Sequence, residues 1–141
     1  MKFAKWMLPV TLMLLSGLMS AQSLTNSTVK AQVPFDFMVN NKIIPAGECK
    51  ISAATMDGQS LLVRNTGARQ SALSSSAREV SGKPAEGTVL VFKRYGNQYF
   101  LSSVRLEGGT VSYAFPQSKA EAELRAQNVP ASTMTLLASL K

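Results

Sequence analysis

The chain contains no histidine and a single cysteine. Without imidazole there can be no Ser-His-Asp triad, no Cys-His pair and no His-ligated zinc. One thiol cannot close an internal disulfide or build a thiolate cluster, so a chain of 141 residues must hold itself together by its core. Charge is also scarce, at 16% of residues, and acids are outnumbered 8 to 15 by Lys and Arg. With 45% hydrophobic residues this composition excludes a disordered chain and suits one folded domain. The basic residues are scattered, with no run of five or six, so no nucleic-acid or lipid-headgroup tail is present. No internal repeat, no phosphate-binding G-x-x-x-x-G-K-[ST] loop and no acidic calcium loop occurs.

What is present begins at the N-terminus. Lys2 and Lys5 precede an uncharged run from Trp6 to Met19, which ends in Ser20-Ala21-Gln22-Ser23. A positive start, a short apolar run and a small-residue exit predict a cleavable signal peptide over 1–23, cut somewhere within 20–24. The run is 14 residues long, short of the roughly 20 that span a bilayer. No cysteine follows it, which excludes a lipid-anchored lipoprotein. The reading is an exported protein, periplasmic or extracellular, with no transmembrane segment after cleavage. An uncleaved anchor is the competing reading. Removing 23 residues leaves 118, a single β-rich domain over 24–141 with 13 basic and 8 acidic side chains.

Turn signals cut this remainder into short β-rich runs. Phe35, Phe37 and Val39 fall on one face at period two. Asn40-Asn41 marks a turn, and Lys42-Ile43-Ile44 a short strand closed by Pro45-Ala46-Gly47, which suits a type II bend. Glu48 to Ala53 puts Cys49, Ile51 and Ala53 on an apolar face, and Gln59 to Arg64 follows as another strand. Asn65-Thr66-Gly67 punctuates, 69–77 is a candidate edge strand, and 79–87, with two Gly and a Pro, reads as a surface loop. Thr88 to Tyr95, Gln98 to Leu106 and Thr110 to Phe115 are joined by Gly96-Asn97 and Gly108-Gly109 and predict a three-stranded meander. Tyr95 and Tyr99 flank its first turn and are expected to meet as a cross-strand pair.

After Pro116 the pattern changes. Ser118-Lys119-Ala120-Glu121 has capping-box spacing, and a helix is expected over about 118–128, stopped by Asn128-Val129-Pro130. Residues 132–140 suit a closing strand, with a short helix as the alternative. The fold class is therefore mainly β: a small antiparallel barrel or sandwich of about seven to nine short strands with one C-terminal helix.

Four segments stand out in order: Val33-Pro34-Phe35-Asp36-Phe37, Pro45-Ala46-Gly47-Glu48, Phe92 through Leu101, and Ser118-Lys119-Ala120-Glu121. As a set they resemble a family of small exported proteins, common in acidobacterial soil bacteria, that carries no assigned activity. The resemblance covers about residues 29–140. It implies export and a β-rich fold, and it transfers no catalytic residue. Where such proteins usually carry tyrosine or a similar residue, this chain has Cys49, which marks that position as a replaceable core site.

Little chemistry can be assembled from the rest. Ser27-Thr28-Val29-Lys30 spells S-x-x-K, but no K-T-G accompanies it and the serine precedes no helix. Cys49 lacks a neighbouring base and reads as a buried, inert thiol. No catalytic residue, cofactor or metal ligand is assigned, and the chain reads as non-enzymatic. Lys93, Arg94, Tyr95 and Tyr99 place cations and aromatics on one hairpin, and these four are the candidate ligand-binding residues. The expected partner is an unknown ligand or envelope polymer, not nucleic acid. One alternative is an assembly protein pairing through a strand edge, with a homo-oligomer as its form. The other is a hydrolase that uses two of the eight carboxylates.

Overall fold

The computed structural model describes residues 27–80 and 83–140. The expected signal segment 1–23 lies outside the described residues. Alternating side chains write the first sheet. β1 (Val29–Val33), β4 (Gly47–Ala53), β5 (Ser60–Asn65) and β6 (Gln70–Ser75) bury every second residue over most of their lengths. They pair antiparallel in the order β12-β1-β4-β5-β6, where β12 is the two-residue strand Ser139–Leu140.

The second sheet is built on the expected meander of β8 (Val89–Tyr95), β9 (Gln98–Arg105) and β10 (Val111–Ala114). β11 (Ala131–Leu137) extends it beyond β8, and β7 (Ala77–Val80) beyond β10. A small hairpin, β2 (Phe37–Val39) and β3 (Lys42–Ile44), joins β9 through a parallel Met38–Phe100 pairing. Its turn residues Asn40 and Asn41 have φ of 48° and 64°, the two positive values that a type I′ turn requires.

Residues from both sheets close over one core that includes Val29, Phe37, Ile51, Leu61, Phe92 and Val104. Leu101 and Val104 both join it although they stand three apart in a strand. The ladder shifts between Val91 and Phe92, so that Val91 faces Ser103 and Phe92 faces Leu101. The extra residue, Ser102, is a β-bulge that returns the later side chains to the same face. Tyr95 and Phe100 are also buried but stand on the opposite face, ring centroids 5.6 Å apart. There they meet α1 (Lys119–Ala126), which lies against the outside of the sheet through Glu121.

The helix is capped at both ends. Ser118 Oγ accepts from the Glu121 amide. Asn128 enters the left-handed region at φ 60°, its amide donating to the Arg125 carbonyl and that of Val129 to Leu124. This is a Schellman arrangement with Asn in the place glycine usually takes. The helix thus spans Lys119–Ala126 within the expected 118–128.

The architecture is mainly β, and of the two expected forms it is the open sandwich and not a closed barrel. The described residues hold twelve strands rather than seven to nine. Among the pieces not read separately from sequence are β7 and β12, of four and two residues, which are defined only by distant partners, β10 and β1. Val80 and Glu79, read from sequence as loop, belong to β7 because they pair with Val111 and Ser112. Residues 131–140 are strand, not helix. That segment leaves the second sheet at Ala138, whose amide donates to the Thr88 carbonyl, and enters the first as β12. No helix among the described residues is long and apolar enough to cross a membrane.

Candidate functional site

The Gly96-Asn97 turn sets the register of the candidate hairpin. Gly96, at φ 62°, supplies the positive first position of a two-residue connection, and Tyr95 then pairs with Gln98 and Arg94 with Tyr99. The expected Tyr95–Tyr99 cross-strand pair is therefore not formed. Since opposed residues share a face, a two-residue turn puts Arg94 and Tyr99 on one side and Tyr95 on the other.

The four candidate residues separate accordingly. Tyr95 is 3% exposed and turned toward the helix, where its hydroxyl donates to Glu121 Oε2 at 3.0 Å. Burial, then the hydrogen bond and the negative charge of Glu121, raise its pKa above the ordinary value of 10.0. Lys93 is half-buried on that same face of the ladder. Arg94 and Tyr99 come together. The Arg94 guanidinium lies 5.5 Å from the Tyr99 ring centroid, and its Nε donates to the Gly96 carbonyl at 2.7 Å. Phe35 stacks on Tyr99 at 3.8 Å and an interplanar angle of 10°, and meets Phe92 edge-on at 5.0 Å.

Beside Tyr99 a cleft of about 230 Å³ opens between the hairpin and β2–β3. Phe37, Met38 and Ile43 give it apolar lining, and Asp36, Asn97 and Gln98 give it carboxylate and amide groups. Ile43 is 59% exposed, so the cleft keeps an apolar side open to solvent. Sequence periodicity missed Met38 and Ile43, because neither stands on the apolar face of its strand. Only the β2–β9 pairing brings them to the hairpin.

The four segments that stand out in the sequence converge in space. Asp36 Oδ1 accepts from the Ala46 amide at 2.8 Å, which ties the first segment to the second. Phe35 and Phe37 pack on Tyr99 and Phe92 of the third, and Tyr95 of the third bonds Glu121 of the fourth. At the centre of the second is Asn65, read from sequence as a turn residue but 3% exposed at the end of β5. Its Nδ2 donates to the carbonyls of Pro45 and Ala46, and its Oδ1 accepts from the Ala68 amide. Gly47 has φ of 137°, and a Cβ placed there would sit 3.2 Å from Asn65 Nδ2, so the bend takes glycine on two counts.

Cys49 is 1% exposed, and burial followed by the neighbouring Glu48 charge pushes its thiol up to about 11. A thiol in that state is a poor nucleophile. Asp57 accepts from Thr55 Oγ1 and the Gln59 amide within its turn, bonds that hold its carboxyl below the usual 3.8. Among the described residues no three His, Cys, Asp or Glu side chains gather as a metal site. Compared with protein-family models, curated proteins and solved structures, the chain matches none.

Proposed function

We propose that the chain is an exported, non-catalytic β-sandwich that binds a glycan of the cell envelope at the open end of the β8–β9 hairpin. The cleft beside Tyr99 supports this reading. A sugar ring offers C–H faces and hydroxyls side by side, and Met38 and Ile43 with Asn97, Gln98 and Asp36 answer both kinds of surface. Arg94 does not line the cleft but is held over its lining residue Tyr99, and it is the cation this reading assigns to acidic sugars. Phe35 already occupies the Tyr99 ring by stacking, so the tyrosine supports the cleft and does not serve as an open stacking platform. Tyr95 is given no ligand contact, because it is buried against Glu121. Three of the eight acids are committed to bonds within the fold, Asp36, Asp57 and Glu121, which leaves the hydrolase alternative without a particular pair to favour it.

The test is calorimetric titration of the protein, purified as its host exports it, with soluble fragments of its own envelope polysaccharides and peptidoglycan. Saturable binding that weakens about tenfold or more in Gln98→Ala plus Arg94→Ala, with the circular dichroism unchanged, is the expected result. Absence of heat with every fraction would remove the proposal. Export is checked in the same preparation: N-terminal sequencing of protein from the periplasm or medium is expected to begin just after a cut within 20–24.

A further inference from the structure

Every open sheet invites another strand, and here the edges differ in how they discourage it. β6, an edge as expected from sequence, has its Leu73 carbonyl occupied by Asn40 Nδ2 at 3.0 Å. β7 is four residues long and carries Arg78 and Glu79. β3 and β12 have three and two residues. Short length, charge and a side chain across the edge are the devices that keep edges from pairing.

β11 has none of them. It runs seven residues, Ala-Ser-Thr-Met-Thr-Leu-Leu, with no charge, no proline and no bulge in its ladder with β8. Among the described residues no strand pairs with its far side. Its core-facing residues Met134 and Leu136 are only half-buried, whereas their partners Phe92 and Leu90 on β8 are 0% and 1% exposed. The core is therefore covered at β8 and left incomplete one strand further out. Leu137, on the other face, is 82% exposed.

We propose that β11 pairs antiparallel with β11 of a second copy, on a twofold axis at Met134. In this register Met134 faces itself, Thr133 faces Thr135 of the other copy, and Ala131 faces Leu137. No like charges are set opposite one another, the condition most edge strands fail on meeting themselves. Each copy supplies what the other lacks, a strand to cover the outer flank of Met134 and Leu136, and the interface closes on itself as a twofold contact must. The inference is independent of glycan binding, because β11 contributes nothing to the cleft beside Tyr99.

Sedimentation equilibrium on the exported protein tests this. The mass is expected to rise with concentration to twice the monomer and no further. Because each chain carries excess positive charge, added salt is expected to strengthen the dimer. Thr133→Lys plus Thr135→Lys changes two exposed side chains and sets lysine against lysine twice, so the dissociation constant is expected to rise at least about tenfold. Mixing that variant with Thr133→Glu plus Thr135→Glu is expected to restore a dimer containing one chain of each. A monomer at every concentration would overturn the proposal. So would a dimer that both variants form as well as the parent does, or a mixture of the two variants that fails to associate.

Discussion

The Tyr95 hydroxyl and the Glu121 carboxylate, 26 positions apart, form a buried 3.0 Å hydrogen bond that fastens the only helix among the described residues to the outside of the second sheet. Glu121 stands three residues after the cap Ser118, where a capping box would turn its side chain back to the cap amide. Here the carboxylate goes to the tyrosine, while the forward half of the box, Ser118 Oγ to the Glu121 amide, is kept.

Tyr95→Phe therefore leaves a buried carboxylate oxygen without its donor. The expected loss is about 1–3 kcal/mol of stability, read by urea unfolding. Adding Glu121→Gln to the Tyr95→Phe variant should recover part of it, because a neutral amide is cheaper to bury than an unpaired carboxylate.

Asn65→Asp is nearly isosteric and should do more harm. It replaces an amine that donates to Pro45 and Ala46 with an oxygen facing two carbonyl oxygens. A loss of about 3 kcal/mol or more is expected, larger than for Asn65→Ala, which removes the bonds without adding repulsion. A larger loss in Asn65→Ala than in Asn65→Asp would show that Asn65 fills space only.

Stability should fall in alkali. The Cys49 thiol is raised from 9.0 to about 11 in the folded chain and Tyr95 is raised above 10.0. For both groups the unfolded chain releases its proton first, so their contribution to stability is constant below about pH 9 and declines as pH rises from there through the folded pKa values. The decline should shrink in Cys49→Ala, measured against its own stability at pH 7. Cys49 should also resist a thiol reagent at pH 8 until the chain is unfolded, and stoichiometric labelling of the native protein would contradict its burial.

Phe35→Ala removes one ring from the Tyr99 stack and the Phe92 edge contact. Because Phe35 is half-buried, a loss of roughly 2–3 kcal/mol is expected, below the range for a fully buried phenylalanine. The near-ultraviolet dichroism of Tyr99 should weaken with it.

Local signals in the sequence determined a good deal. Period-two alternation marked Phe37 and Val39, and Cys49 and Ile51, as inward-facing, because burying every second side chain is a property of each strand alone. Gly96-Asn97 placed the hairpin, and Ser118 with Asn128 bracketed the helix, because turns and caps are made within a few residues. The exclusion of histidine- and thiolate-based chemistry needed only a count of residues.

Tertiary structure alone decided which faces and edges meet. Tyr95 and Tyr99 look like a pair in sequence, and the two-residue turn sends them to opposite sides of the sheet. The β-bulge at Ser102 reverses the facing of the rest of β9, which no periodicity foretells. Asn65 reads as a turn residue until the bend at Pro45 closes over it, and β7 reads as loop until β10 pairs with it. The same holds for the cleft, whose Met38 and Ile43 reach the hairpin through one parallel pairing, and for β11, whose open edge exists only relative to the sheet it ends. Alternation and turn chemistry are carried by neighbours in the chain, whereas pairing, register and edge exposure belong to strands that sequence distance does not connect.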